Sequence, residues 1–330
     1  MQRIQYVDRL KGFAMLAVIF GHLYFFSLGD GDNFMPRFVS TFHMPLFMFL
    51  SGWVISSVPD IKKVFVKCAS FLSPFFFVGL SFALFYYKDV TIFFGSNIKN
   101  GYWYLFVLSF FYVFLWSFRL ITRVVKFKWM DIIWFVMIYA FLIALNLTLP
   151  ERWCNILSVY QARSLWPLFI AGYLSRKYNV TETFLSKNVV FSCSMIGYAV
   201  TVYFFSKGYF RVFLLSAFLS VPTFVYLFKK FESNNDIVSN ALAKIGRQSL
   251  DIYIYHFFFI KALRLTGWHE YFIATDNMLL ESVIVAILSV TIAYSCIGIG
   301  ILIRQSEFLE KLIYGKYIAN AIISFNKKSV

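Results

Sequence analysis

Ten apolar runs of about bilayer length follow one another along the chain, at 12–28, 38–58, 68–87, 102–118, 129–149, 156–175, 188–206, 211–228, 249–265 and 279–303. A hydrocarbon core of about 30 Å is spanned by roughly 20 apolar residues in a helix. Backbone groups in lipid must bond within their own segment or within a closed barrel. These runs are continuously apolar rather than alternating, which selects helices. The composition agrees, with 60% hydrophobic and only 14% charged residues, against about 25% charged in soluble domains. The expectation is an all-α polytopic membrane protein with about ten transmembrane helices. Residues 1–303 would form the transmembrane domain, and 304–330 an amphipathic tail with Phe308, Leu309, Leu312 and Ile313 at helical spacing. No repeat of 20–50 residues is visible, and Cys68, Cys154, Cys193 and Cys296 show no ligand or framework spacing.

The net charge of +15 could suggest a polyanionic partner, but basic residues in a membrane protein collect on the cytoplasmic side. With ten spans and an inward N-terminus, 22 of the 31 basic residues fall in cytoplasmic segments and 9 elsewhere. That split predicts both termini in the cytoplasm and removes the need for nucleic acid. The lipid bilayer is the partner that the composition demands, and its apolar surfaces are compatible with a homo-oligomer. Ser27-Leu28-Gly29 has the look of a signal cleavage site. The run before it carries His22 and exceeds the usual 7–15 residues of a signal core, so it reads as a retained span.

Ionisable residues within such spans cost several kcal/mol unless paired or hydrated, so they are the informative ones. Lys11 and His22 are eleven residues apart, almost three helical turns, and share one face about 16 Å apart. Asp8 lies on the same side, so the face reads carboxylate, ammonium, imidazole. An anionic, elongated ligand with a reactive far end would fit it; a topology anchor beside a core histidine would also produce it. His43 follows in Phe42-His43-Met44-Pro45, where Pro45 is expected to kink the second span beside the imidazole. His22 in the outer half of the first span and His43 near the outer end of the second lie at compatible depths. His256 stands five residues after Asp251, about 10 Å in from the cytoplasmic face, with Ser249 the expected N-cap. Arg163 interrupts the sixth span and calls for a carboxylate, a phosphate or a wet cavity. His269 reads as a surface residue of an outward loop. Trp103, Tyr104 and Trp153 read as aromatic belt. Phosphate-loop, zinc-protease and serine-hydrolase motifs are absent, as is any metal-spaced Cys/His set, so no metal is expected.

Three segments together resemble the acyltransferase-3 family of integral membrane acyltransferases. They are Val7-Asp8-Arg9-Leu10-Lys11-Gly12-Phe13 with His22, then His43-Met44-Pro45-Leu46-Phe47 through Ser51-Gly52, and Ile245-Gly246-Arg247-Gln248-Ser249-Leu250-Asp251 through His256. The family's first-span motif is a basic residue, ten others, then histidine. Lysine at that basic position, here Lys11, is similar to the branch of fucose-type sugar and surface-polysaccharide O-acetyltransferases. It supplies a point charge where arginine would supply a bidentate contact.

The resemblance implies a protein of the bacterial inner membrane that moves an acyl group, most simply acetyl, from cytoplasmic acyl-CoA to a carbohydrate hydroxyl. Acetyl-CoA would be a co-substrate, with no bound cofactor. Its phosphates would lie near Lys11, with Arg163 as a second donor contact. His22 would be general base or acyl carrier, and His43 would orient or polarise at the same site. Asp8, Asp251 and His256 would support them. The rival readings are a transporter or flippase for an anionic or sugar-lipid substrate, which lacks the expected inverted repeat, and a membrane scaffold, which leaves His22 and His43 unexplained.

Overall fold

The computed structural model describes residues 4–31, 33–125, 127, 129–275 and 277–317. Its helices, in chain order, are α1 (Gln5–Leu23), α2 (Phe34–Ser40), α3 (His43–Trp53), α4 (Ile61–Tyr87), α5 (Val90–Gly95), α6 (Trp103–Val124), α7 (Met130–Thr148), α8 (Glu151–Ile156), α9 (Val159–Lys177), α10 (Val180–Thr183), α11 (Asn188–Ser206), α12 (Phe213–Lys230), α13 (Ile237–Arg247), α14 (Ser249–Ala262), α15 (Thr266–Ala274), α16 (Met278–Gln305) and α17 (Glu307–Ile313). No strand occurs among the described residues. Among the described residues, seven segments are long and apolar enough to cross a membrane: Gln5–Leu28, α4, α6, α7, α11, Phe210–Lys230 and α16. The chain is a multi-pass integral membrane protein.

A helix occupies each of the ten expected positions, but three of them are not simple spans. The run at 38–58 is divided between α2 and α3 at Thr41–Phe42. Pro45 accounts for the position of the break, because a proline ring collides with the carbonyl four residues earlier, here Thr41. The expected kink is thus a full interruption, and His43 opens the second helix. The run at 249–265 yields α14, whose 14 residues rise only about 21 Å. The run at 156–175 becomes α9, which carries Gln161, Arg163, Arg176 and Lys177 among its apolar residues. Of the amphipathic tail, α17 covers the first part, with Ser306 capping it through Leu309 N–H; residues 318–330 lie outside the described residues.

The chain divides into two bodies, the first built from the stretch up to Val54 and from Ala171–Gly300. At its centre stands α1, which α13 crosses at backbone contact. A Cβ at Gly12 would fall on the Leu242 carbonyl, and one at Gly246 on the Asp8 carbonyl. The Arg9 guanidinium, buried, reaches the Phe231 carbonyl at 2.9 Å, the Glu232 carbonyl at 3.1 Å and the Asn234 carbonyl, so it closes the end of α12. Carbonyls in the turn after a helix C-terminus are natural partners for a cation. Phe13 contacts Phe42, Phe224 and Phe228 at 5.3–5.5 Å between ring centroids, tying α1 to the α2–α3 junction and to α12. At its far end α1 passes into a π-helical turn, Tyr24–Leu28. Ser27 there donates to the Ile260 carbonyl at 2.8 Å and accepts Leu265 N–H on its own carbonyl at 3.0 Å.

The second body comprises Ile55–Ile170 and the segment from Ile301 onward. Its core is aromatic: Trp166 lies against Phe111, Phe114 and Phe169, and its indole donates to the Phe135 carbonyl at 3.1 Å. Lys99, fully buried between α5 and α6, directs its Nζ at the carbonyls of Phe94, Ser96 and Asn155. Burial draws its pKa down to about 8. Three carbonyl acceptors match the three N–H groups of an ammonium.

Candidate active site

The α1 sequence places Asp8, Arg9 and Lys11 toward one end of an uninterrupted helix and His22 at the other. Lys11 lies in its first half and His22 in its last turn. Their shared face is what eleven residues of α-helix give, about 16 Å of separation.

At the N-terminal end, Lys11 and Asp8 line a cavity of about 290 Å³ together with Trp53, Arg176, Arg247 and Ser249. Trp53 is the wall of this cavity and is held from three directions. Its indole donates to Thr181 Oγ1 at 2.9 Å, Tyr6 meets its ring edgewise at 6.2 Å, and the Arg176 guanidinium stands 4.6 Å over it. A guanidinium spread on an indole is attracted electrostatically and keeps its N–H edges for a ligand. Lys11, Arg176 and Arg247 outweigh the single carboxylate of Asp8, so the cavity suits an anion. Ser249, expected as an N-cap, makes no capping bond and is the first residue of α14, lining the cavity instead.

At the other end, His22 Nδ1 lies 3.1 Å from His256 Nε2. The ring planes differ by 9° and the centroids are 5.3 Å apart. That separation is the nitrogen contact plus one ring radius on either side, so the imidazoles meet edge to edge in nearly one plane. His256 is completely buried, and its Nδ1 lies 2.9 Å from the Ile252 carbonyl. Phe257 packs on both imidazoles, at 4.7 Å from His22 and 4.4 Å from His256. His22 and His43 are partly accessible. His43 places Nδ1 2.7 Å from the Val39 carbonyl, and it is near enough to His22 for the two to interact electrostatically. The π-turn begins two residues after His22; such turns recur at functional sites because they re-aim nearby side chains.

Residues 4–298 match the family model for the acyltransferase domain. The chain belongs to the acyltransferase-3 family. No curated relative and no solved structure matches it. Membership makes this protein a membrane acyltransferase, and it favours that reading over the transporter.

Among the residues expected for such an acyltransferase, the structure brings His22, His43 and His256 together at one end of α1 and Asp8 with Lys11 at the other. His256 touches His22, a pairing the sequence did not indicate: α13 lies across α1 at Gly12, and α14 starts with Ser249 on the same cavity as Lys11. Asp251 is buried against Gly300 of α16, where a Cβ would strike its carboxyl group. Arg163 belongs to the second body, with its guanidinium 5.4 Å over the Tyr160 ring, and it is not among the residues lining the cavity. Arg176, in the last turn of the same helix, lines it instead.

His269 is not a surface residue. It is buried, with Nδ1 2.7 Å from Glu281 Oε1 and Nε2 3.3 Å from Asp30 Oδ2. Sequence reasoning also passed over Arg9, Arg176 and Arg247, which it counted only as orienting charges. The signal available for Arg247 was its place inside the Gly246–His256 segment.

Proposed function

We propose that the protein transfers an acyl group, acetyl in the simplest case, from cytoplasmic acyl-CoA to a hydroxyl of a cell-surface or lipid-linked carbohydrate. The observation that carries this reading is the division of labour along α1. A cationic cavity with Lys11, Arg176 and Arg247 lies at one end, and an imidazole pair lies about three turns away. The ligand this favours is long, with phosphates at one end and a reactive carbonyl at the other. The basic split of the sequence puts the Lys11 end in the cytoplasm, where acyl-CoA is made, with both termini on that side and the chain in a bacterial inner membrane.

In this reading the nucleotide phosphates lie against Lys11, Arg176 and Arg247, and the thioester reaches His22. The His22 imidazole takes the proton of the acceptor hydroxyl as its oxygen attacks the thioester carbonyl. The tetrahedral intermediate then breaks its C–S bond, and the departing thiolate takes the proton back from His22. An imidazole suits both halves because its bare nitrogen can accept a proton and then return it.

The test is purified protein in nanodiscs with radiolabelled acetyl-CoA and a panel of lipid-linked and free glycans. Label arriving in a glycan in a base-labile ester, dependent on His22, supports the reading. No transfer to any carbohydrate, with transfer to another hydroxyl compound, would replace the acceptor class. An acyl group trapped on His22 by acid quench would make that residue a covalent carrier rather than a base.

A further inference from the structure

The proton positions on the two imidazoles follow from their partners. A backbone carbonyl can only accept, so the His256 nitrogen 2.9 Å from the Ile252 carbonyl, Nδ1, bears a hydrogen. A second hydrogen on Nε2 would make His256 a fully buried cation with no carboxylate partner among the described residues. Such an unpaired buried charge is strongly disfavoured. His256 is therefore neutral, and its Nε2 carries a lone pair. The facing atom, 3.1 Å away, is His22 Nδ1, which must supply the hydrogen. One chain of donors results: His22 Nδ1–H to His256 Nε2, and His256 Nδ1–H to the Ile252 carbonyl, which is fixed in helix α14.

We infer that His256 is a positioning residue that locks His22 as its Nδ1–H tautomer and leaves Nε2 of His22 as the nitrogen that performs the chemistry. The near-coplanar rings also fix the direction of that lone pair, since turning His22 about its side chain breaks the contact. A neutral histidine at the end of the chain has a specific consequence. It holds the tautomer without adding a negative charge behind the base, unlike the carboxylate that orients histidine in the familiar triads. His43 is limited in the same way. Its Nδ1–H is committed to the Val39 carbonyl, so a neutral His43 presents only a lone pair. It can receive a hydroxyl proton and hold the acceptor, but it has no hydrogen left for polarising a carbonyl.

The catalytic consequence rests on the acyl-transfer reading; the tautomer does not, and the two are measured separately. Nitrogen NMR of ¹⁵N-histidine-labelled protein in nanodiscs, with His22 assigned through a His22→Gln variant, reads the tautomer with no substrate present. The expected spectrum has His22 protonated on Nδ1 and bare on Nε2. A His22 proton on Nε2 in the wild-type protein overturns the proposal. Two variants then test the role. Gln in His256→Gln can place its carbonyl oxygen where Nε2 was, so it keeps the acceptor and should retain activity within about tenfold. His256→Leu fills the space without an acceptor, should lose the Nδ1–H preference, and should lower kcat by on the order of 10²–10⁴-fold with the KM for acyl-CoA unchanged. Equal losses in both variants, with the His22 spectrum unaltered, would make His256 a packing residue and sink the proposal. A wild-type protein that shows the expected tautomer but transfers no acyl group would overturn the functional reading and leave this one standing.

Discussion

Gly12 and Gly246 meet where α1 and α13 cross, and the histidine of the buried pair stands ten residues beyond each of them, His22 beyond Gly12 and His256 beyond Gly246. Continuous helix leads from Gly12 to His22, while the end of α13, the junction at Gln248 and the first half of α14 lead from Gly246 to His256, so both arms start at one crossing and end at the imidazole pair. The crossing therefore sets the register of the site at one end and holds Lys11 and Arg247 beside the cavity at the other.

Either glycine should be intolerant of alanine. The added Cβ would fall on a backbone carbonyl, so one helix must move, and overpacking of this kind costs about 1–3 kcal/mol. Gly246→Ala and Gly12→Ala should each lower the thermal midpoint in detergent and lower kcat as well. Gly298→Ala, where nothing lies within 4 Å of the new atom, is the control and should behave like wild type. Unchanged activity in both crossing variants would mean that the register is set elsewhere.

The second expectation concerns His22 itself. His22→Ala should insert and accumulate normally and lose acyl transfer by at least the 10²–10⁴-fold typical of a general acid–base group. Near-normal transfer would return His22 to the status of a core histidine.

The positions of the helices were legible in the sequence because apolar runs bounded by charges are a one-dimensional signal. What the runs could not give was continuity. Thr41 and Phe42 are not unusual residues, and the break between them follows from a ring four positions later. The pairing of His22 with His256 joins residues 234 apart, and depth counted from the ends of apolar runs put them at different levels. Nothing local to 249–265 says that α13 crosses α1 at Gly12 and delivers the start of α14 beside Lys11. Arg176 and Arg247 were visible only as charges at span ends, since nothing in a sequence says which of several cytoplasmic cations share a cavity. The family resemblance, carried by short motifs around His22, His43 and His256, was readable because each motif is local.

Arg9 should prove more important to stability than its neighbours. It holds three carbonyls at the end of α12 from a buried position. Hydrogen bonds to a charged group contribute about 1.5–3 kcal/mol each, although a set on one side chain does not add fully. Arg9→Ala should lower the thermal midpoint by clearly more than Lys62→Ala, a change in the exposed first turn of α4. Arg9→Lys should recover part of the loss. Equal midpoints for the two alanine variants would show that the α12 terminus is held by other contacts.

The Asp30–His269–Glu281 cluster offers a sharper test, because Glu281 is almost wholly buried, its side chain only 1% exposed. Removing the imidazole in His269→Ala takes the Nδ1 partner from a buried carboxyl group, at a cost of about 1–3 kcal/mol. Glu281→Gln keeps a side chain that can accept from the ring and should cost less. The double variant His269→Ala with Glu281→Ala removes both partners and should regain stability relative to His269→Ala alone. A double variant no more stable than the single would mean that the ring's packing, not its hydrogen bond to Glu281, is what matters.

The last prediction separates the two ends of α1. Because Lys11 and His22 are about 16 Å apart, a change at one end should not reproduce the signature of a change at the other. If Lys11, Arg176 and Arg247 receive the phosphates of acyl-CoA, alanine at each should raise the KM for acetyl-CoA, with kcat at saturating donor largely retained. Arg176→Ala should have a further effect, because it uncovers the Trp53 ring that the guanidinium lies over; Arg176→Lys keeps the charge but not the planar contact, and should fall between wild type and alanine. Lys11→Arg preserves the charge and should keep most of the binding. His22→Ala should instead lower kcat at saturating donor, since it removes an interaction made in the transition state. The comparison needs each variant in nanodiscs with acetyl-CoA titrated through saturation, alongside Arg163→Ala, whose residue lies outside the cavity lining. A raised KM in Arg163→Ala with none in Lys11→Ala, Arg176→Ala or Arg247→Ala would move the donor site away from this cavity and leave Lys11 as a topology anchor.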